Sequence, residues 1–396
     1  MLLGTTKEFR DQIPGSLHVL TLTPFYPTIR DDAEGCFIYE PLLWLSKNGI
    51  RNTVFVARPF YRGTSDSTFL PIPGHTIKYL SLPRGFGLST AGAFLFAGIL
   101  ARLRALHRDH PVSLIHAHGA LPCGHAAMLL SKELGIPFVV TVHGLDAYST
   151  VQVGGRSGRW CRRISQHAYV ASRRVICISE RVRQNVLEGV GRKARTSVVY
   201  NGVDPNVFMP SDANPPVPQL LSVGNLIPIK GYDLLIRATA SLAKEMPSLR
   251  LDIIGNGPEQ PRLEKLATAL RIADRVRFLG RRSRLETAAA VNCCTVFAMP
   301  SRYEALGCVY LEGMSAGRAV IGCRGQGIAE IIQHGSNGFL VGPDNEKELT
   351  LALSMLLRDE QRRRNLGRAA RETILEGLTY SHQAERLARI YRECVA

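Results

Sequence analysis

Residues 299–321, MPSRYEALGCVYLEGMSAGRAVI, decide how the second half of this chain folds. Val296 to Met299 is apolar and β-prone, Pro300 and Ser301 stop it, and from Leu306 the positions Leu306, Val309, Tyr310, Leu311 and Met314 recur at helical spacing. The reading is strand, loop, helix, with Glu304 in the loop and Glu312 inside the helix. Eight residues of continuous helix would rise roughly 12 Å, too far for two carboxylates to share one bond as a retaining hydrolase pair does at about 5 Å. They are expected to touch different parts of one long ligand. Between them the backbone N–H groups of Leu306, Gly307 and Cys308 open the helix at its positive dipole end, where a diphosphate binds. A ligand with a polyol at one end, phosphates in the middle and a ribose at the other fits this order, and a nucleotide sugar has that shape. Taken alone, a Glu beside a helix start is ordinarily a cap or a solvated side chain.

Upstream, Leu220 to Gly224 reads as a strand, Asn225 to Lys230 (NLIPIK) as a loop, and Gly231 onward as a helix. Lys230 thus stands at a strand-to-helix crossing, where its ammonium reaches a diphosphate at the helix start. Leu249 to Ile254 is a further strand, closed by the turn Gly255-Asn256-Gly257-Pro258, and Val276 to Gly280 is followed by Arg281, Arg282 and Arg284. Residues 346–396 read as helical throughout. Pro205, Pro210, Pro215, Pro216 and Pro218 read as a linker that separates this half from the first.

The first half alternates in the same way. A strand from Leu17 to Leu22 is closed by Pro24 and Pro27, and after a polar loop Gly35 opens an apolar-periodic helix through Cys36, Leu42, Leu43 and Leu45. Strands follow at Thr53 to Ala57 and Ile77 to Leu80, then a helix over 90–110 that ends in Arg102, Arg104 and Arg108. Such a helix either lies on an anionic membrane or packs on the sheet. Ser113 to Ala117 and Phe138 to Val142 are strands that place His116, His118 and His143 where they would project into a single crevice. No third ligand at metal spacing accompanies them, so zinc is not expected. Arginines 156, 159, 162, 163, 173 and 174 form either a solvated helix face or a surface that meets phosphates.

The 396 residues suffice for two domains, and 45% apolar with 21% charged residues is a globular composition. The net charge of +16 is concentrated in residues 1–205, with 24 Lys and Arg against 13 Asp and Glu. Such a surface attracts anionic lipid or acidic glycans; nucleic acid is not expected, for want of a nucleic-acid motif or an aromatic-interleaved basic stripe. Nine scattered cysteines without a C-x2-C pair point to a reducing compartment. The first sixteen residues lack a signal peptide's apolar core, and the longest apolar run, Ala91 to Leu100, is too short to span a bilayer. A cytoplasmic protein is expected, either free or at the inner face of the membrane.

The segment Glu304 to Glu312, with Gly317, Val320, Gly325, Gly327, Glu330, Gly335, Asn337, Gly338 and Pro343, resembles the E-x7-E region of the family 4 glycosyltransferases, retaining enzymes of the GT-B fold. His143-Gly144-Leu145-Asp146 resembles that family's THG-x-D signature, and Gly224 to Gly231 its G-R-L-x3-K-G loop, with Asn225 where an Arg usually stands. Gly35 matches one of the two adjacent glycines the family often carries. The resemblance implies an α/β, GT-B fold with two doubly wound Rossmann-like domains facing across a cleft: an acceptor domain over 1–205, a nucleotide-sugar domain over 206–378, and a final helix over 379–396 that crosses back. It further implies transfer of a hexosyl unit from a UDP- or GDP-linked sugar to a hydroxyl of a glycan or lipid-linked acceptor. Glu304 would face the donor sugar, Glu312 the ribose, and Lys230 the phosphates together with Gly35, Gly224, Asn225 and the 306–308 amides. His143 would contact the sugar, with His118 second. No Asp-x-Asp segment occurs, so neither a metal nor any other cofactor is expected. Other classes compatible with the sequence are a nucleotide-sugar epimerase of the same fold and a non-catalytic nucleotide-sugar-binding or membrane-binding protein.

Overall fold

A computed structural model describes residues 17–63, 67–82, 87–148, 153–211 and 215–396. The first sixteen residues, including the stretch read as lacking a signal peptide, lie outside the described residues. The chain divides into two compact units, Met1–Tyr200 with Tyr380–Ala396, and Asn201–Thr379.

In the first unit the order is β1 (His18–Thr23), α1 (Cys36–Lys47), β2 (Arg51–Pro59), β3 (Gly74–Tyr79), α2 (Leu88–Asp109), β4 (Leu114–His118), α3 (His125–Leu134), β5 (Phe138–Val142), α4 (Gly155–Ala171), β6 (Arg174–Cys177), α5 (Glu180–Val190) and β7 (Thr196–Val198). The sheet runs β3-β2-β1-β4-β5-β6-β7 with every pairing parallel. Buried on both faces, β1, β4 and β5 are nearly continuous apolar runs, as a parallel sheet covered by helices requires. The apolar run at 91–100 is part of the longer α2, which at 22 residues is long and apolar enough to cross a membrane by length and composition alone. Its buried line, Ala91, Leu95, Ile99 and Leu103, instead packs toward β3 and α3.

The second unit comprises β8 (Gln219–Val223), α6 (Tyr232–Ala243), β9 (Arg250–Ile254), α7 (Gln260–Ala269), β10 (Val276–Gly280), α8 (Arg284–Asn292), β11 (Val296–Ala298), α9 (Cys308–Ser315), β12 (Ala319–Cys323), β13 (Phe339–Val341), α10 (Glu346–Arg358) and α11 (Glu360–Gly377). Its parallel sheet runs β10-β9-β8-β11-β12-β13. The last helix, α12 (Tyr380–Val395), returns to the first unit, where it packs on α1 and Gln383 Nε2 donates to the Phe37 carbonyl at 3.3 Å.

Both sheets therefore carry the doubly wound order that reverses beside the first strand, between β1 and β4 in one and between β8 and β11 in the other. Ligands bind outside the carboxyl ends of the strands at such a reversal. There lie Gly35, in the loop after β1, and His118, the last residue of β4, in the first unit, and Gly224, Lys230 and Glu304 in the loops of the second.

Two boundaries differ from the sequence reading. The C-terminal region is not one helical run: Asp359 leaves helical geometry and its side chain caps α11 by accepting from Arg362 N at 2.8 Å. The expected linker also begins inside the second unit. Val203 N donates to the Leu378 carbonyl at 3.0 Å, and Arg371 donates to the carbonyls of Pro205 and Phe208 at 3.3 and 3.1 Å. Proline spacing carried no sign of these tertiary clamps.

Candidate active site

In the second unit, a single 3-10 turn, Pro228–Lys230, follows β8 and ends on Gly231 at φ 71°. A Cβ at Gly231 would stand 2.1 Å from the Pro300 carbonyl oxygen, so only glycine lets this turn lie against the loop after β11. That loop is stitched to it: Arg302 N and Tyr303 N both donate to the Ile229 carbonyl, at 2.8 and 3.3 Å. The outcome is a direct ion pair between Lys230 Nζ and Glu304 Oε2 at 2.6 Å, with side chains only 17% and 10% exposed. Gly224, at the end of β8, lies within 4.0 Å of the Lys230 chain by its would-be Cβ, and its carbonyl accepts from Tyr232 Oη at 2.8 Å. Asn225 is exposed to solvent.

Glu304 is held from behind by a residue that the sequence reading did not single out. Gln326 Oε1 accepts from Glu304 N at 2.9 Å while its Nε2 donates to the Arg302 carbonyl, and Gly327 N donates to the Glu304 carbonyl at 3.0 Å. Arg302 in turn forks onto Asp233 at 2.9 and 3.0 Å and onto Asp344 at 2.7 Å. These partners are 22 to 69 residues apart, beyond the reach of any periodicity or turn signal.

The helix start is shifted from its expected place. α9 begins at Cys308, with Gly307 as its N-cap at φ 83°, a conformation that favours glycine; a Cβ there would meet the Tyr310 ring at 2.5 Å. Leu306 is fully buried ahead of the cap. Only four helical steps, roughly 6 Å, lie between Cys308 and Glu312, so the 12 Å of continuous helix does not apply. Glu312 is buried; burial raises its pKa above the usual carboxylate range, and Arg284, whose Nη1 is 3.5 Å away, acts against that rise. Cys308 accepts from Asn201 Nδ2 at 3.4 Å, and burial pushes its thiol up to about 12, so it is neutral.

In the first unit, Gly35 caps α1 at φ 77°, where a Cβ would stand 2.6 Å from the Phe25 carbonyl carbon. The close approach sets Phe37 and Phe25 edge-on to the His143 ring at 5.1 and 6.2 Å. His143 and His118, from adjacent strand ends, meet through Nε2 and Nδ1 at 3.1 Å. Burial pushes His143 down to about 4 and His118 well below its ordinary value, so both are neutral and one shared proton defines which ring donates. Asp146 Oδ1 accepts from His143 N at 2.9 Å and fixes the turn. His116 lies against His118, ring centroids 4.2 Å apart, but on the core side rather than opening on a crevice as expected. It is 1% exposed, held between Tyr391 Oη at 2.6 Å and Thr141 Oγ1 at 2.7 Å, a core histidine that ties α12 to the sheet.

Comparison with known proteins agrees with this geometry. Residues 206–373 match the family described as glycosyl transferases group 1, and residues 37–207 match glycosyltransferase family 4. An uncharacterised glycosyltransferase of Methanocaldococcus jannaschii is 31% identical over 262 residues, 66% of this chain and 70% of that one. Sucrose-phosphate synthase of Thermosynechococcus elongatus superposes with a TM-score of 0.79 at 21% identity, covering 95% of this chain and 98% of the other. HepE of Anabaena, solved with UDP, gives 0.75 at 19% identity, covering 95% and 100%. Two Rossmann-like units, each with its reversal point furnished as above, and matches that together span residues 37–373, place this chain in a known family: it belongs to the group 1, family 4 glycosyltransferases of the GT-B fold.

Proposed function

We propose that this glycosyltransferase moves a hexosyl unit from a UDP- or GDP-linked sugar to a hydroxyl of a glycan or lipid-linked acceptor, with retention of configuration and without a metal or other cofactor. The observation that carries the reading is the Lys230–Glu304 pair beside the start of α9. As the sugar–phosphate bond breaks, negative charge grows on the leaving diphosphate and the sugar becomes oxocarbenium-like. Lys230 and the amides at the α9 terminus supply fixed positive potential for the first. Glu304 accepts from sugar hydroxyls, Glu312 from the ribose, and His143 contacts the sugar. A bound diphosphate competes with Glu304 for the Lys230 ammonium, so donor binding redistributes a contact that already exists. The complex of HepE with UDP supports a UDP-linked donor for this chain.

A donor screen tests the reading. Purified protein with UDP-glucose, UDP-galactose or GDP-mannose is expected to release the nucleoside diphosphate, faster with acceptor present and equally with EDTA; epimerised sugar without acceptor consumption would instead favour an epimerase. Glu304→Gln is expected to lower kcat about 10- to 100-fold, the worth of a hydrogen bond to a charged group. For the membrane, the +16 charge supports contact with an anionic inner leaflet from the cytoplasmic side. Co-sedimentation with phosphatidylserine vesicles that is lost with rising salt is the expected result; equal binding to neutral vesicles would refute it.

A further inference from the structure

We propose that Arg284 is a positioning residue for Glu312, keeping its carboxylate aligned as a charged acceptor for the two hydroxyls of a nucleotide ribose and so setting a preference for ribo- over 2′-deoxyribonucleotide donors. The proposal rests on the donor reading above and extends it to a residue 28 positions away in sequence.

Arg284 is the first residue of α8, and its backbone is fixed by a reciprocal cap: Ser283 Oγ accepts from Glu286 N at 3.3 Å while Glu286 Oε2 accepts from Ser283 N at 2.9 Å. A cation in the first turn opposes the helix dipole, so α8 itself gains nothing from an arginine there. The side chain is instead folded inward. Its Cζ lies 5.0 Å over the ring of buried Phe208, and its Nη1 lies 3.5 Å from Glu312 Oε1, the two side chains being 12% and 11% exposed. The aromatic ring and the carboxylate are two of the contacts that hold the guanidinium. The contact is a single long one, not a closed fork, and a carboxylate has about four acceptor positions. Most of the acceptor capacity of Glu312 is therefore left for a ligand.

The other groups around Glu312 do not substitute for Arg284. On its own helix and the preceding loop, Cys308 is a neutral thiol and Glu304 is paired with Lys230. Arg371 of α11 is directed at the carbonyls of Pro205, Phe208 and Ser315, at the far end of α9. Burial favours the protonated acid, and Arg284 is the cation that opposes it. A protonated carboxyl accepts fewer hydroxyls than an ionised one, so loss of Arg284 weakens ribose recognition first at low pH.

The test is the pH dependence of kcat/KM for UDP-glucose and GDP-mannose and for their 2′-deoxy counterparts, using the full chain. Arg284→Met is expected to raise KM about tenfold with kcat within about threefold, to shrink the ribo-to-deoxy ratio about tenfold, and to move the acid limb of kcat/KM to higher pH. Arg284→Lys keeps the charge without the planar fork, so the acid limb returns while part of the KM defect stays; this variant carries the test if the methionine variant does not fold. In a Glu312→Gln background, Arg284→Met should change KM less than twofold, because the coupled partner is gone. Folded variants with an unchanged acid limb and ribo-to-deoxy ratio overturn this proposal alone. A wild-type protein that neither turns over these donors nor binds UDP or GDP overturns the donor reading, and this proposal with it.

Discussion

Lys230→Ala is expected to lower kcat for transfer about 10²- to 10³-fold, the cost of removing one preorganised charge from a developing oxyanion. The same substitution is expected to cost the fold about 3 kcal/mol, because it strands a mostly buried carboxylate. Those two effects separate. In Lys230→Ala/Glu304→Gln the stranded charge is gone, so urea unfolding should return most of the stability while turnover stays low. Lys230→Arg keeps a cation but replaces a compact ammonium with a wider planar group against Gly224 and Glu304, so it should restore stability better than rate. Single-turnover kinetics on UDP-glucose and GDP-mannose read the rate independently of product release. Near-wild-type turnover in Lys230→Ala would show that no diphosphate rests on this side chain, and the donor assignment would fall with it.

The sequence announced this site unevenly, and the reason is physical. Strands and helices around Glu304 and Glu312 are local, so apolar spacing and the Pro300-Ser301 break were enough to put one acid in a loop and the other in a helix. The first turn of α9 was misplaced because Leu306 fits a helical stripe, whereas its burial comes from the tertiary core and Gly307 sets the true start. Lys230 could be placed at a strand-to-helix crossing from local spacing, yet its direct pairing with Glu304 depends on Gly231 nesting under Pro300, a contact across 69 residues. Gln326 had no signal at all and Arg284 showed only as one of three arginines after a strand: a glutamine before a glycine and an arginine at a helix start look like surface until the fold carries them to Glu304 and Glu312. His116 was misjudged for the opposite reason. Alternation in β4 puts it on the same face as His118, but α12, arriving from the far end of the chain, covers it with Tyr391.

That covering makes the first unit acid-sensitive. Burial pushes His116 down to about 3 and His118 well below its ordinary value. Unfolded histidines titrate near 6.5. Below pH 6.5 the unfolded chain therefore binds protons that the folded chain refuses, so stability falls as pH falls, by up to about 1.4 kcal/mol per pH unit for each such histidine, and the loss ends only near the folded values. Above pH 6.5 both states are neutral and the term vanishes. His143, pushed down to about 4 by burial, adds a comparable share until the pH nears that value. Asp146 works the other way: burial raises it to about 6, so between pH 6 and its unfolded value near 4 the folded state takes up a proton that the unfolded one does not, which offsets about one histidine. From pH 6.5 to 5 the balance of these groups is a loss on the order of 3 to 4 kcal/mol. Urea unfolding at pH 7, 6 and 5 should show that decline, and His116→Asn should flatten its slope by about 1.4 kcal/mol per pH unit, even though the variant starts less stable at pH 7 through loss of the Tyr391 and Thr141 contacts. Tyr391→Phe separates contact from charge: it removes the hydroxyl from His116 Nδ1 yet leaves the imidazole buried, so it should lower stability at every pH with the slope preserved. Equal slopes in wild type and His116→Asn would mean that His116 takes up its proton in the folded protein as readily as in the unfolded chain, and would remove the burial argument for this acid sensitivity.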